Sequence, residues 1–126
     1  MIIVEFPFYM EKGSKDYKKF KLATSFRIIL KKKKAIRLKN NEKNIEDLRL
    51  VDSMRQLEAD SGISYNLIQT LCVGKRDIQF TSLITLIESL NISFSEFAKI
   101  YDKITEAEMH KEKEEIEKKK TSPKMK

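Results

Sequence analysis

The sequence has few of the residues on which several common protein classes depend. It contains one Cys, one His, two Pro, three Gly and no Trp in 126 residues. A single Cys excludes an intramolecular disulfide and a cysteine-based metal cluster, and we expect Cys72 to be a half-buried structural residue. The single His, at position 110, lies in a charged run and is no credible catalytic base. So few turn-forming residues also disfavour a β-sandwich, which needs frequent turns and regular strand alternation.

Further absences point away from enzymes and membrane proteins. No nucleophile–base pair, metal-ligating cluster or phosphate-binding loop is visible, so the sequence favours a binding protein without metal or cofactor. No stretch approaches the length of a transmembrane helix. The apolar residues 1–10 include Glu5 and Pro7 and lack a basic n-region, so we expect no signal peptide and a cytoplasmic protein. Met10 is an alternative start, because the residues after it are hydrophilic.

Charge is distributed unevenly along the chain. The net charge is +7, which indicates an anionic partner. Residues 1–43 hold 13 Lys or Arg against 4 Asp or Glu, whereas residues 44–105 hold 6 against 9. We therefore predict a basic N-terminal arm, partly disordered or helical, over residues 1–43. A globular domain is expected over residues 44–104, followed by a charged, helical and solvated tail at 105–126.

Capping residues predict where two central helices begin and end. Ser53 and Gln56 form a capping box, in which the hydroxyl and the amide satisfy free backbone N–H groups. Gly62 suits the left-handed conformation that closes a helix. Ser64 can cap the helix that follows, which reaches about residue 73. Two short helices joined by so tight a turn predict a helix-turn-helix.

Apolar residues at helical spacing predict a small all-α bundle of about five helices. Two further helices are expected over residues 81–90 and 94–104, the second with Phe94 facing inward. Two segments, 44–51 and 26–39, are candidates for the first helix. The predicted core contains Leu57, Ile68, Leu71, Leu86 and Phe97.

The outer face of the helix at 64–73 is suited to the edge of a DNA groove. It is polar and carries no acidic residue. The amides of Asn66 and Gln69 can each offer a donor and an acceptor together, the arrangement that matches adenine in the major groove. The outer face consists of Tyr65, Asn66, Gln69 and Thr70.

Three motifs in the run 53–97 resemble the Xre family, the lambda-repressor-like helix-turn-helix proteins. They are S-x-x-x-L-E-x-x-S-G-I-S at 53–64, I-x-x-L-x-x-G-K-R at 68–76 and LITLIESLNISFSEF at 83–97. The resemblance implies sequence-specific binding of double-stranded DNA, usually by a homodimer on a palindromic site, in transcriptional control. The helix at about 64–73 would then be the recognition helix in the major groove.

The resemblance also suggests roles for individual residues. Ser64 and the outer-face residues named above match the family's base-reading face, and Lys75 and Arg76 match the loop that approaches the DNA backbone. The family often has a phosphate-binding Gln where this chain has Met54, so we expect the neighbouring Arg55 to take that contact. It usually has Ala where this chain has Glu58, so we expect either a slightly opened angle between the two helices or a rotated Glu58 side chain.

The basic arm is expected to contact DNA phosphates or an adjacent minor groove. The residues assigned to that contact are Lys31, Lys32, Lys33, Lys34 and Arg37. One alternative function is a protein-interaction module, such as part of an antitoxin or mobile-element complex, which the net negative charge of the domain supports. Another is a non-specific nucleic-acid binder acting through the arm alone. The tail at 105–126 offers a further surface for a protein partner.

Overall fold

The computed structural model describes residues 13–47 and 50–121. Six helices and no strand occur in these ranges, so the all-α prediction is confirmed. The helices are α1 (Lys15–Glu42), α2 (Met54–Ser61), α3 (Tyr65–Cys72), α4 (Phe80–Ser89), α5 (Phe94–Lys103) and α6 (Glu106–Thr121). Residues 1–12 of the predicted arm, two residues of the candidate helix at 44–51, and residues 122–126 lie outside the described part.

The long helix α1 begins where Ser14 accepts a hydrogen bond from the backbone N–H of Tyr17 at 3.1 Å. Its first half buries a stripe of residues three or four positions apart: Phe20, Ala23, Phe26, Ile29 and Leu30. After this stripe comes the lysine run, where α1 continues with a largely exposed surface. Because the apolar stripe ends at Leu30, the second half of α1 has little to bury.

The position of α1 corrects the expectation of an arm apart from the domain. The described part of the arm is a helix whose first half lies in the main core. Of the two candidates for the first helix, 26–39 lies within α1, whereas the described residues of 44–51 are not helical. Leu50 and Val51 are nevertheless buried, so this connection packs against the bundle in an irregular conformation.

The main core lies between α1 and the four helices that follow it. The five predicted core residues are all buried, from 0% exposure for Leu57 to 4% for Phe97. Phe97 packs against Phe26 with ring centroids 5.2 Å apart. Phe94 differs from its prediction, because it is 46% exposed and stacks edge-on against the exposed ring of Phe80. Phe94 is the first residue of α5, whereas the buried residue of this helix, Phe97, lies about one turn later.

The predicted helix ends agree closely with the structure. The backbone N–H of Gln56 donates to Ser53 Oγ at 3.2 Å, and Gln56 Oε1 accepts from the N–H of Asp52 at 2.8 Å. The Gln therefore reaches one residue further back than a capping box requires. Gly62 adopts a left-handed conformation with φ of 79° and ends α2. Ser64 caps α3 by accepting from Leu67 N–H at 3.2 Å.

Helix α6 packs against α1, which corrects the expectation of a solvated tail. Met109 is 1% exposed and shares a second apolar cluster with Phe20 and Ala23. The carboxylate of Glu112 is buried beside this cluster and accepts hydrogen bonds from Arg27 and Lys31, both at 2.7 Å. The apolar positions Met109 and Ile116 are too few for the sequence to predict this contact. A buried ion pair between Glu112 and α1 supplies the rest of it.

Candidate nucleic-acid interface

The outer face of α3 carries the two amides that sequence analysis assigned to base reading. Ile68 and Leu71 are fully buried on the inner face. Asn66 and Gln69, on the opposite side, are both exposed. The structure therefore presents both amides to solvent on a helix whose other face is held by the core.

Two predicted site residues meet at the start of α3. The guanidinium carbon of Arg55 lies 3.7 Å from the centroid of the Tyr65 ring, within the range of a cation–π contact. Arg55 also lies 3.6 Å from the carboxylate of Glu58, whose side chain is 40% exposed. These contacts hold the Arg55 side chain along the surface that α2 and α3 share. The Ser64 hydroxyl accepts within its own helix cap and so stabilises the start of α3.

The loop after α3 is fixed to the helix by one of its own cations. Arg76 Nε donates to Thr70 Oγ1 at 2.9 Å, and the Thr70 hydroxyl donates to the carbonyl of Asn66 at 2.8 Å. Thr70 therefore helps to hold the loop as well as lying beside the base-reading positions. Lys75, one residue earlier, is exposed.

The same loop is anchored to α1. Gly74 has φ of 81° and lies against Phe20, so closely that a Cβ on Gly74 would come 2.5 Å from the ring. Lys15 Nζ lies 3.1 Å from the carboxylate of Asp77. Its hydrogen bond and positive charge lower the pKa of that carboxyl. The end of α3 thus rests on the first turns of α1, which positions Lys75 and Arg76.

The cations assigned to the arm do not have equivalent surroundings. Lys31 Nζ lies 2.7 Å from both Glu112 and Glu115. Burial alone would lower the pKa of Lys31, but the hydrogen bonds to these two carboxylates outweigh it and raise that pKa. Arg37 donates to Asp52 at 2.9 Å and to the carbonyl of Leu50 at 3.1 Å. Lys31 and Arg37 are therefore already neutralised by partners within the chain.

Lys32, Lys33 and Lys34 form the part of the lysine run that is not paired in this way. Within the part of the chain that the structure describes, no acidic side chain forms an ion pair with any of them. Lys32 and Lys34 are exposed and Lys33 is partly buried. Of the five arm residues assigned to DNA contact, three therefore have no described carboxylate as an ion-pair partner.

Sequence reasoning missed one cation beside this surface. Lys119, near the end of α6, lines a groove together with Lys34, Arg55 and Tyr65. Only the packing of α6 on α1 brings Lys119 there, more than fifty residues along the chain from Tyr65. The weak apolar pattern of Met109 and Ile116 was the only sequence signal for that packing.

Other chemistry is limited in the described residues. Cys72 is fully buried, further than the half-burial expected for it. Its burial raises the pKa of the thiol to about 12, although the charge of Arg27 opposes that shift. No group of three or more His, Cys, Asp or Glu side chains that could hold a metal ion occurs in these ranges. None of the helices described combines the length and the apolar character needed to cross a membrane.

Comparison with known proteins identifies no relative of this chain: no family model, curated protein or solved structure matches it.

Proposed function

We propose that the protein is a cytoplasmic, sequence-specific DNA-binding transcriptional regulator of helix-turn-helix type, with α3 as its recognition helix. One observation carries the proposal: α3 exposes Asn66 and Gln69 on an acid-free face while its opposite face is locked into the core. An amide can pair with adenine through a donor and an acceptor at once, and such contacts discriminate between bases. The resemblance of residues 53–97 to the Xre family supports the same interpretation.

The cations around α3 support this placement. Arg55 lies beside the first residue of α3, whereas Lys75 and Arg76 lie beyond its last turn. Positive charges on both sides of a reading helix can contact phosphates on the two edges of a groove. Contacts of this kind orient a protein on DNA but carry little sequence information. The proposed division of labour therefore assigns sequence reading to Asn66 and Gln69, and positioning to the three cations.

The test begins with selection of bound sites from random duplex DNA. A helix-turn-helix dimer should yield two half-sites related by symmetry and about one helical turn apart. Asn66→Ala and Gln69→Ala should each cost about 1–3 kcal/mol on the selected site and much less on random duplex. Asn41→Ala is the matched control, because it removes an exposed amide on α1. Equal losses on selected and random DNA would remove both residues from base reading.

A protein-interaction module with weak or no DNA binding is the second candidate function. The exposed, edge-on pair of Phe80 and Phe94 favours it, since these rings are 63% and 46% exposed and adjoin each other at 5.8 Å. Two adjoining exposed rings offer an apolar surface, and aromatic residues are enriched at protein–protein interfaces. In the DNA-binding proposal, the same surface joins two copies of the chain.

Sedimentation equilibrium distinguishes the outcomes for this surface. A homodimer that Phe80→Ser converts to a monomer would assign the aromatic pair to self-association. If the wild type is a monomer and also selects no DNA sequence, we would assign the aromatic pair to contact with a different protein. The control is Ile36→Ser, which replaces another exposed apolar side chain in the second half of α1.

A further inference from the structure

A groove of about 350 Å³ lies beside the start of α3, and its walls come from four helices or their caps. Helix α1 contributes Lys34, and α6 contributes Lys119. Arg55 and Tyr65 line it from α2 and α3, with Ser53, the N-cap of α2, beside them. Arg27 and Lys31 also line the groove, but both pair with Glu112. The other three cations come from three separate helices and line one surface next to the proposed recognition helix.

The acids near this groove are already neutralised. Asp52, also in its lining, accepts from Arg37 at 2.9 Å. Glu112 accepts from Arg27 and Lys31 deeper between α1 and α6. By contrast, the structure records no ion pair to Lys34 or Lys119 anywhere in the described ranges. The groove therefore presents positive charge to solvent, with Arg55 only partly balanced by Glu58.

We propose that this groove is a binding site for a phosphate of the DNA backbone, and that α6 supplies Lys119 to it. The inference rests on the proposed function, because it is the position beside α3 that identifies DNA as the source of the phosphate. Lysine and arginine donors from several directions suit the tetrahedral oxygens of a phosphate. A flat contact through the lysine run alone would not need the concave shape or the side chain from α6.

The site assigns a role to the packing of α6. Glu112 ties this helix to Arg27 and Lys31 of α1, and Lys119 lies seven residues, or about two helical turns, further along α6. That contact joins α6 to α1, so that Lys119 lines the same groove as Lys34. The charged C-terminal segment is then part of the DNA-binding surface rather than an appendage to it.

The test compares two double variants that remove the same charge. Lys34→Ala/Lys119→Ala removes the two groove lysines, and Lys99→Ala/Lys103→Ala removes two exposed lysines of α5. Affinity for random duplex is measured by fluorescence anisotropy over a range of salt concentrations. Each lost phosphate contact should flatten the slope of log affinity against log salt by about 0.9. Because both groove lysines serve the same phosphate, the groove variant should lose about 0.9 units of slope, and the α5 variant should retain the wild-type slope.

Two further measurements make the result specific. Lys34→Arg/Lys119→Arg should retain the slope, since the charge and donors remain. Preference for the selected site over random duplex should be unchanged in the groove variant, because phosphate contacts do not read bases. Circular dichroism confirms that each variant is folded.

The outcomes separate this inference from the proposed function. A wild-type slope in the groove variant, or equal losses in both double variants, would overturn the phosphate site whether or not a sequence is selected. A flattened slope without any selected sequence would keep the site and reject sequence-specific recognition. A wild type that binds no DNA at all would overturn both.

Discussion

Gly74→Ala tests whether the end of α3 packs against α1, as the contact between Gly74 and Phe20 indicates. The substitution has two costs that can be separated. The backbone at Gly74 has φ of +81°, and a left-handed conformation costs a non-glycine residue about 1–2 kcal/mol. The new Cβ would also lie 2.5 Å from Cδ1 and 3.3 Å from Cα of Phe20. Phe20 is 1% exposed, and overpacking a filled core adds about 1–3 kcal/mol.

Gly62→Ala is the matched control for the first cost. Its φ is +79°, but a Cβ there meets nothing within 4 Å. We therefore expect Gly62→Ala to lower the free energy of unfolding by about 1–2 kcal/mol and Gly74→Ala by about 2–5 kcal/mol. Urea denaturation followed by circular dichroism measures both values. Equal losses in the two variants would refute the close approach of Gly74 to Phe20.

A second substitution identifies the group responsible for the difference. Phe20→Val removes Cδ1, the atom that a Cβ on Gly74 would approach to 2.5 Å, and keeps an apolar side chain in the cluster. If the ring causes the clash, the double variant should lose less stability than the sum of the two single losses. If the two losses of stability are additive, the extra cost of Gly74→Ala does not come from a clash with the Phe20 ring.

Three further expectations follow from the same packing. Leu71→Ala should lower stability by about 2–5 kcal/mol, because the side chain is fully buried; an unchanged melting temperature would show that the inner face of α3 is wrongly assigned. Deleting residues 1–39 should abolish the cooperative thermal transition, since it removes Phe20 and Phe26 from the core. A truncated protein that still folds would show that these residues form an arm apart from the domain. Cys72 should resist iodoacetamide at pH 8 in buffer and react quickly in urea, because burial raises its pKa to about 12; rapid labelling of the folded protein would contradict that burial.

The central helices were predictable because their signals are local. Ser53 and Ser64 each cap a helix through a backbone group three residues away, and Gly62 reverses the chain in a conformation that glycine adopts readily. The buried face of α3 followed from spacing alone, since Ile68 and Leu71 are three residues apart. The exposure of Asn66 and Gln69 was then a geometric consequence of the helix.

The candidate site was only partly predictable from the same kind of reasoning. The sequence identified Arg55, Tyr65, Thr70 and Arg76 as members of one surface. It did not reveal that Arg55 covers the Tyr65 ring or that Arg76 bonds to Thr70. Side-chain partners of this kind depend on rotamers and on the loop path, which no spacing rule encodes.

Tertiary structure alone decided which side chains of the charged segments form ion pairs. A run such as Lys31–Lys34 is uniform in sequence, yet Lys31 is neutralised by two carboxylates more than eighty residues away while Lys34 remains available. The same long-range pairing joins α6 to α1, and this packing places Lys119 in the groove beside Tyr65, the first residue of α3. Helix ends and apolar faces depend on neighbours within about four residues, so the sequence determined them by itself. Which lysine meets an acid depends on segments that only folding brings together, because Coulombic attraction acts through distance in space and not along the chain.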